Sequence, residues 1–163
     1  EPITILATTD HVTIAPATQV LIQAMREAGI NLDIQSMDWG SVVSRRAKKE
    51  PPSQGGWNIF ITTMGTVGAA NPVLHTWIGA ACDKGLFGWP CDAKIEDLRN
   101  QYAFAQTDAE KKKIAAELEA RAIEQVVYVP FGQWTSPIAY RADRLDGIVP
   151  NTGLAVLWNI VKK

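Results

Sequence analysis

The first 37 residues carry a pattern that few folds accommodate: a short β-branched run, a helix-period segment and a second alternating run, each with its own punctuation. Ile3-Thr4-Ile5-Leu6-Ala7 reads as a strand, and Thr8-Thr9-Asp10-His11 supplies turn chemistry directly after it. Between residues 15 and 28, Val20, Leu21, Ala24, Met25 and Ala28 recur at helical spacing, and Gly29 stands where a C-terminal cap belongs. This predicts a helix of about four turns. Ile30, Leu32 and Ile34 then alternate with Asn31, Asp33 and Gln35, which predicts a strand with one polar face ending at Ser36-Met37-Asp38-Trp39. A helix that joins two strands of one sheet implies parallel pairing through a right-handed crossover.

Residues 41–49 read as a short, basic-tailed helix stopped by Pro51-Pro52 and the turn Ser53-Gln54-Gly55-Gly56. Residues 57–64 are nearly continuous in apolar and β-branched character, as in a strand covered on both faces. The expected fold class is therefore α/β, with an open, mixed, mostly parallel sheet flanked by helices. The small-residue loop from Gly65 to Pro72 leaves the C-terminal end of the third strand, where ligands sit in open α/β sheets. Further on, Asp92 caps a helix carrying Ile95, Leu98, Tyr102 and Ala105 on one face. Thr107 with Glu110 forms a capping box for a second helix, with Ile114, Ala115, Leu118, Ala122 and Ile123 inward. The two are expected to pack as an antiparallel pair. Residues 126–134 return to strand character, and residues 138–140, 147–149 and 155–158 read as short strands.

A chain of 163 residues that is 47% hydrophobic can bury a real core, and residues 1–163 read as a single domain. The net charge of −1 offers no general attraction for polyanions, so no nucleic-acid partner is expected. No stretch approaches the roughly 20 apolar residues of a membrane span. The start Glu1-Pro2-Ile3-Thr4 lacks the basic and apolar regions of a leader, which is removed from mature exported chains.

Strong catalytic signatures are absent: there is no phosphate-binding glycine loop, Cys-x-x-Cys, His-Glu-x-x-His or Gly-x-Ser-x-Gly. No catalytic residue, cofactor or metal is assigned. The rival reading as a hydrolase-type enzyme rests on His75 with Cys82, or on His11 beside Asp10. Cys82 and Cys91 flank a turn-rich loop and fit a short disulfide, two buried thiols or, least well, a metal site. Carboxylates such as Asp108, Glu110, Glu117, Glu119 and Glu124 belong to solvated helix faces. The run from Arg45 to Lys49 is either an anion patch or a helix end favoured by the macrodipole, with Arg46 the ligand candidate. Six tryptophans exceed what a small core needs, and Trp39, Trp89 and Trp134 follow strand or turn signals, so each plugs the core or lines a groove. A freestanding interaction module would use the same tryptophans on a contiguous apolar patch.

The order and spacing of several phrases resemble the extracytoplasmic solute-binding proteins of the peptide and nickel type, called family 5. The carriers are the segment from Val20 to Ile30 with Asp38-Trp39, then Trp57-Asn58-Ile59-Phe60 and Asn71-Pro72. They continue with Phe87-Gly88-Trp89-Pro90-Cys91-Asp92, Val129-Pro130-Phe131 and Leu157-Trp158-Asn159-Ile160. The resemblance covers nearly the whole chain and implies the C-terminal lobe of a class II periplasmic-binding-protein fold. It also implies a periplasmic location and an N-terminal lobe of the same protein as partner. ABC transporter permease subunits would be further partners, and a peptide-like or other small organic solute would lie between the lobes. Carried over by position, the ligand-facing residues would be Trp39, Arg46, Met64, Gly65, Thr66, Gly68 and Trp134. Peptide-binding relatives hold the ligand's α-ammonium with an acidic residue shortly before the loop proline. Gly68 occupies that place, and no acid stands between Thr62 and Asn71.

Overall fold

The computed structural model describes residues 1–149 and 157–163. The chain forms two compact units, residues 1–63 and 64–163.

The first unit is built on the strand-helix-strand pattern. Strands β1 (Ile3–Thr8) and β2 (Leu32–Met37) pair in parallel, with Ile3 opposite Leu32 and Thr8 opposite Met37. Helix α1 (Ile14–Glu27) makes the crossover. It ends where Gly29 takes φ +77° and the Ile30 N–H donates to the Met25 carbonyl, the left-handed cap a glycine accepts without strain. The buried stripe of α1 is Ile14, Thr18 and Ile22, spaced four apart, with Met25 partly buried beside them. The expected face through Val20, Ala24 and Ala28 is instead exposed, because the helix begins at Ile14 and 3.6-residue periodicity then turns Val20 outward. Thr18 is tolerated inside because its hydroxyl donates to the Ile14 carbonyl at 2.8 Å. Ile5, Ala7 and Ile22 form the core, with Ile3, Leu32, Ile34 and Ile59 packed around them.

Strand β3 (Ile59–Phe60) adds to the other edge of β1, giving the parallel order β2-β1-β3. It is far shorter than the run of residues 57–64 predicts. At its start Asn58 meets Thr4 twice: the Asn58 side-chain oxygen accepts the Thr4 N–H at 2.8 Å, and the Asn58 N–H donates to the Thr4 carbonyl. A side chain thus takes a place in the ladder that backbone would otherwise fill. Helix α2 (Trp39–Arg45) starts two residues earlier than expected because Asp38 is its cap, accepting the Ser41 N–H at 3.0 Å. Arg45 at its end donates to the carbonyls of Gly55 and Gly56 and to Gln35, pinning the turn that follows.

In the second unit, the short helix α3 (Thr66–Ala69) is followed by single 3-10 turns at Thr76–Ile78 and Cys82–Lys84. The main body is the helix pair α4 (Ala93–Phe104) and α5 (Asp108–Gln125). Both caps form as their residues predict: Asp92 accepts the Ile95 N–H, and Thr107 accepts the Glu110 N–H. The Glu110 carboxylate reaches back to the Gln106 N–H, one residue before the cap. Leu98, Ala105, Ile114, Leu118 and Ala122 pack with Ile78 into one core, whereas Ile123 is exposed.

Residues 126–134 do not form a strand. Val126 takes a left-handed conformation at the end of α5, and residues 128–140 form no regular element; among the described residues their backbone makes no backbone hydrogen bond to another segment. A strand exists only where a neighbour accepts its ladder. The one sheet of this unit among the described residues is the two-residue antiparallel pair β4 (Leu145–Asp146) and β5 (Val161–Lys162). Of the strand expected at residues 155–158, Ala155 and Val156 lie outside the described residues.

Candidate functional site

In the first unit, β1 and β2 end side by side at Thr8 and Met37, β3 ends at Phe60 opposite Leu6, and residues at and beyond these ends gather around Trp39. The Trp39 N–H donates to the Asp10 carboxylate at 2.8 Å, and the same oxygen, Oδ1, accepts the Thr8 hydroxyl at 2.9 Å. The His11 ring meets the Trp39 indole edge-on at 5.1 Å between centroids. The Arg46 guanidinium lies 5.7 Å from the Trp39 ring centroid and 5.9 Å from that of Phe60, within cation–π range of both. Trp57 stacks edge-to-face on Phe60 at 4.7 Å and donates its indole N–H to the Arg46 carbonyl. Arg46 is thus held among aromatic rings, and this partial burial lowers its pKa from the ordinary arginine value. A guanidinium so placed presents a planar, weakly hydrated cation, suited to an anionic or aromatic group.

An open depression of about 600 Å³ runs along α2 between Met37, Ser44 and Lys48. Trp39 and Arg46 do not line it, and Arg45, which does, already donates to three acceptors. It is the weaker candidate.

In the second unit, Met64 and Gly65 lead into α3, with Gly65 as its N-cap residue and Thr66 as its first residue. The Met64 side chain closes over Gly68, leaving 3.4 Å between its Cε and the position a Cβ would take there. Trp134 stands in the irregular run of residues 128–140, half exposed, with Val129, Phe131, Ile138 and Tyr140 also open to solvent. Within each unit, then, Trp39 and Arg46 come together, and so do Met64 and Gly68.

Cys82 and Cys91 are joined by a disulfide that closes the loop carrying Phe87 and Trp89. The Cys82 thiol of the hydrolase-type reading is therefore committed to a bond. The His75 ring packs 5.2 Å from Tyr128; its Nδ1 is buried without a hydrogen-bond partner among the described residues, and desolvation, reinforced by the positive charge of Arg99, lowers its pKa. His11 Nδ1 accepts the N–H groups of Thr13 and Ile14, the work of a helix cap. Among the described residues no group of three metal-ligating side chains assembles, and no helix is long and apolar enough to cross a membrane.

Three members of the Trp39 cluster were not singled out as ligand residues by the sequence. Phe60 read as strand interior, and His11 with Asp10 as turn residues or as the pair of the hydrolase-type reading. The available signal was positional: each lies at or just past the C-terminal end of a strand.

Over 162 residues, 99% of its length, the chain is 36% identical to a probable peptide ABC transporter periplasmic-binding protein of Sinorhizobium fredii. The resemblance read from the sequence holds along the whole chain. The chain spans about 30% of that relative's length. No family model matches it. The mixed α/β architecture, with its parallel sheet and flanking helices, is compatible with a lobe of such a binding protein.

Proposed function

We propose that this chain is the C-terminal lobe of the substrate-binding component of an ABC importer, with a class II periplasmic-binding-protein fold, acting in the periplasm and without catalysis. The observation that carries this reading is the 36% identity over nearly the whole chain to a protein named for peptide binding in the periplasm. The placement of Trp39 and Arg46 beyond the C-terminal ends of a parallel sheet supports it, since ligands of open α/β sheets are held there.

On this reading Trp39 and Arg46 contact the solute from the first unit. Met64, Gly65, Thr66, Gly68 and Trp134 are proposed as contacts contributed by the second. The solute is a peptide or another small organic molecule, and the loop between Thr62 and Asn71 offers no carboxylate to an amine. The N-terminal lobe of the same protein supplies the opposing face, and permease subunits receive the closed form. Binding favours closure only to the extent that the solute has more affinity for the closed than for the open state. The exposed Val129, Phe131, Trp134, Ile138 and Tyr140 support a partner of this kind, because among the described residues neither these side chains nor the backbone of their run is covered by another strand.

Native mass spectrometry of the two-lobe protein, purified without refolding, tests this function. The expected result is a fraction carrying one small organic solute that is released on unfolding and that raises Tm when added back. Turnover of that solute instead of its release intact would overturn the reading.

A further inference from the structure

We propose that Arg99, on α4, is a positioning residue for the solute: its guanidinium donates to the carbonyls of Pro72 and Val73 and so fixes the segment that carries Met64, Gly65, Thr66 and Gly68. The inference rests on the solute-binding function proposed above, in which that segment meets the solute, and adds to it a residue outside the contacts named there.

The segment does not hold its own place. Gly65, Thr66, Val67, Gly68, Ala69 and Ala70 offer little side chain to bury, and α3 buries none of its four residues. A single helical turn has too few hydrogen bonds to offset its own ordering. Its position therefore depends on bonds to something rigid. Within the segment the bonds are local: the Ala69 N–H donates to the Gly65 carbonyl, the Val73 N–H to the Asn71 side chain and the His75 N–H to the Asn71 carbonyl. Among the described residues, residues 64–73 make two hydrogen bonds with partners more than four positions away, and Arg99 donates both.

The geometry of Arg99 suits the task. Its Nε meets the Pro72 carbonyl at 3.1 Å and its Nη2 the Val73 carbonyl at 3.2 Å. The third nitrogen, Nη1, pairs with both oxygens of Glu96, at 2.8 and 3.0 Å. Glu96 stands in the first turn of α4, where a carboxylate is favoured, and its Oε1 also accepts the Ala80 N–H at 2.7 Å. All three nitrogens are engaged, so the planar fork is held in one orientation, which an ammonium on a flexible stem does not reproduce. Arg99 is 27 positions beyond Pro72, and its neighbour Leu98 is buried in the core that α4 shares with α5. The two carbonyl bonds thus tie a segment of small residues to the rigid body of this unit.

Hydrogen exchange and peptide retention, both measured on the two-lobe protein, test this. The probe is an equimolar tripeptide library, with the peptides retained after gel filtration quantified by mass spectrometry. Arg99→Lys keeps a charge for Glu96 but loses the fork, so the amides of residues 66–75 should exchange at least about tenfold faster than in the wild type, with those of α4 and α5 unchanged. Peptide affinity should fall about tenfold. Unchanged exchange at residues 66–75 overturns the proposal, and so does faster exchange there with full retention of peptides. Faster exchange throughout α4 and α5 with a lowered Tm marks a purely structural residue and overturns it too. Should the variant fail to fold, Glu96→Gln, which weakens the hold on Nη1, is read by the same outcomes. A wild-type protein that retains no peptide counts against the peptide solute of the proposed function, and the exchange pattern then decides the role of Arg99 alone.

Discussion

The backbone N–H of Trp39 donates to the Asp10 carboxylate at 2.8 Å, tying the loop that leaves β1 to the first residue of α2. Twenty-nine positions separate the two residues, so this bond ties the backbone of Trp39 to the end of β1 rather than to its own neighbourhood. The Trp39 ring then serves as the wall on which Arg46 rests.

Arg46 is expected to matter through the shape of its guanidinium as well as its charge. Arg46→Lys keeps the charge but loses the planar group that lies between Trp39 and Phe60. Solute affinity of the two-lobe protein should fall about tenfold in Arg46→Lys and further in Arg46→Ala. Calorimetry on both variants checks this, and an Arg46→Lys affinity equal to wild type would remove the guanidinium from the site.

Asp92 joins α4 to α5: it caps α4 through Ile95 and pairs with Arg121 at 2.7 Å. The Arg121 hydrogen bonds, and then the Ile95 N–H, hold the Asp92 carboxyl below its ordinary pKa. Its contribution is therefore present above the unfolded-state value of about 4 and is lost as pH falls through the lower folded value. Chemical denaturation followed from pH 7 downward should show an acid loss of stability that is smaller in Asp92→Asn. An unchanged acid limb would exclude the pair as its source.

His75 acts in a different window. Burial lowers its folded pKa, so below about 6.5 the unfolded chain takes up a proton that the folded state resists. Stability should decline as pH falls from there towards the folded value, and His75→Phe should flatten that part of the profile. The same denaturation series reads both effects, because the histidine limb lies at higher pH than that of Asp92.

The disulfide between Cys82 and Cys91, nine positions apart, restrains the unfolded chain more than it adds contacts. Replacing both cysteines by Ala should lower stability by about 2 to 3 kcal/mol, as loop-closure entropy gives for a ring of that size. Urea melts of the double variant, compared with the oxidised parent, provide the measurement.

Elements whose signals are local were legible in the sequence: α1 with its Gly29 cap, and α4 and α5 with Asp92 and Thr107 at their starts. Elements that depend on distant partners were not. Ile59 and Phe60 pair with β1 for only two residues, the Asn58 side chain taking the ladder place before them, and residues 126–134 and 138–140 read as strand yet make no backbone ladder among the described residues. The site divides in the same way. Trp39 and Arg46 were visible as residue types that line ligand sites, but the hold of Asp10 on Trp39 depends on a backbone N–H across the sheet.

On the proposed function the chain supplies one face of a two-faced binding site, which isothermal calorimetry of one solute against two samples can distinguish from a self-sufficient site. The solute identified by native mass spectrometry is titrated into the two-lobe protein and into residues 1–163 alone. A single face cannot provide the contacts that favour closure, so the two-lobe protein should bind with Kd of about a micromolar or tighter, and the isolated chain at least about a hundredfold more weakly. Equal affinity in the two samples would mean that residues 1–163 hold the complete binding site.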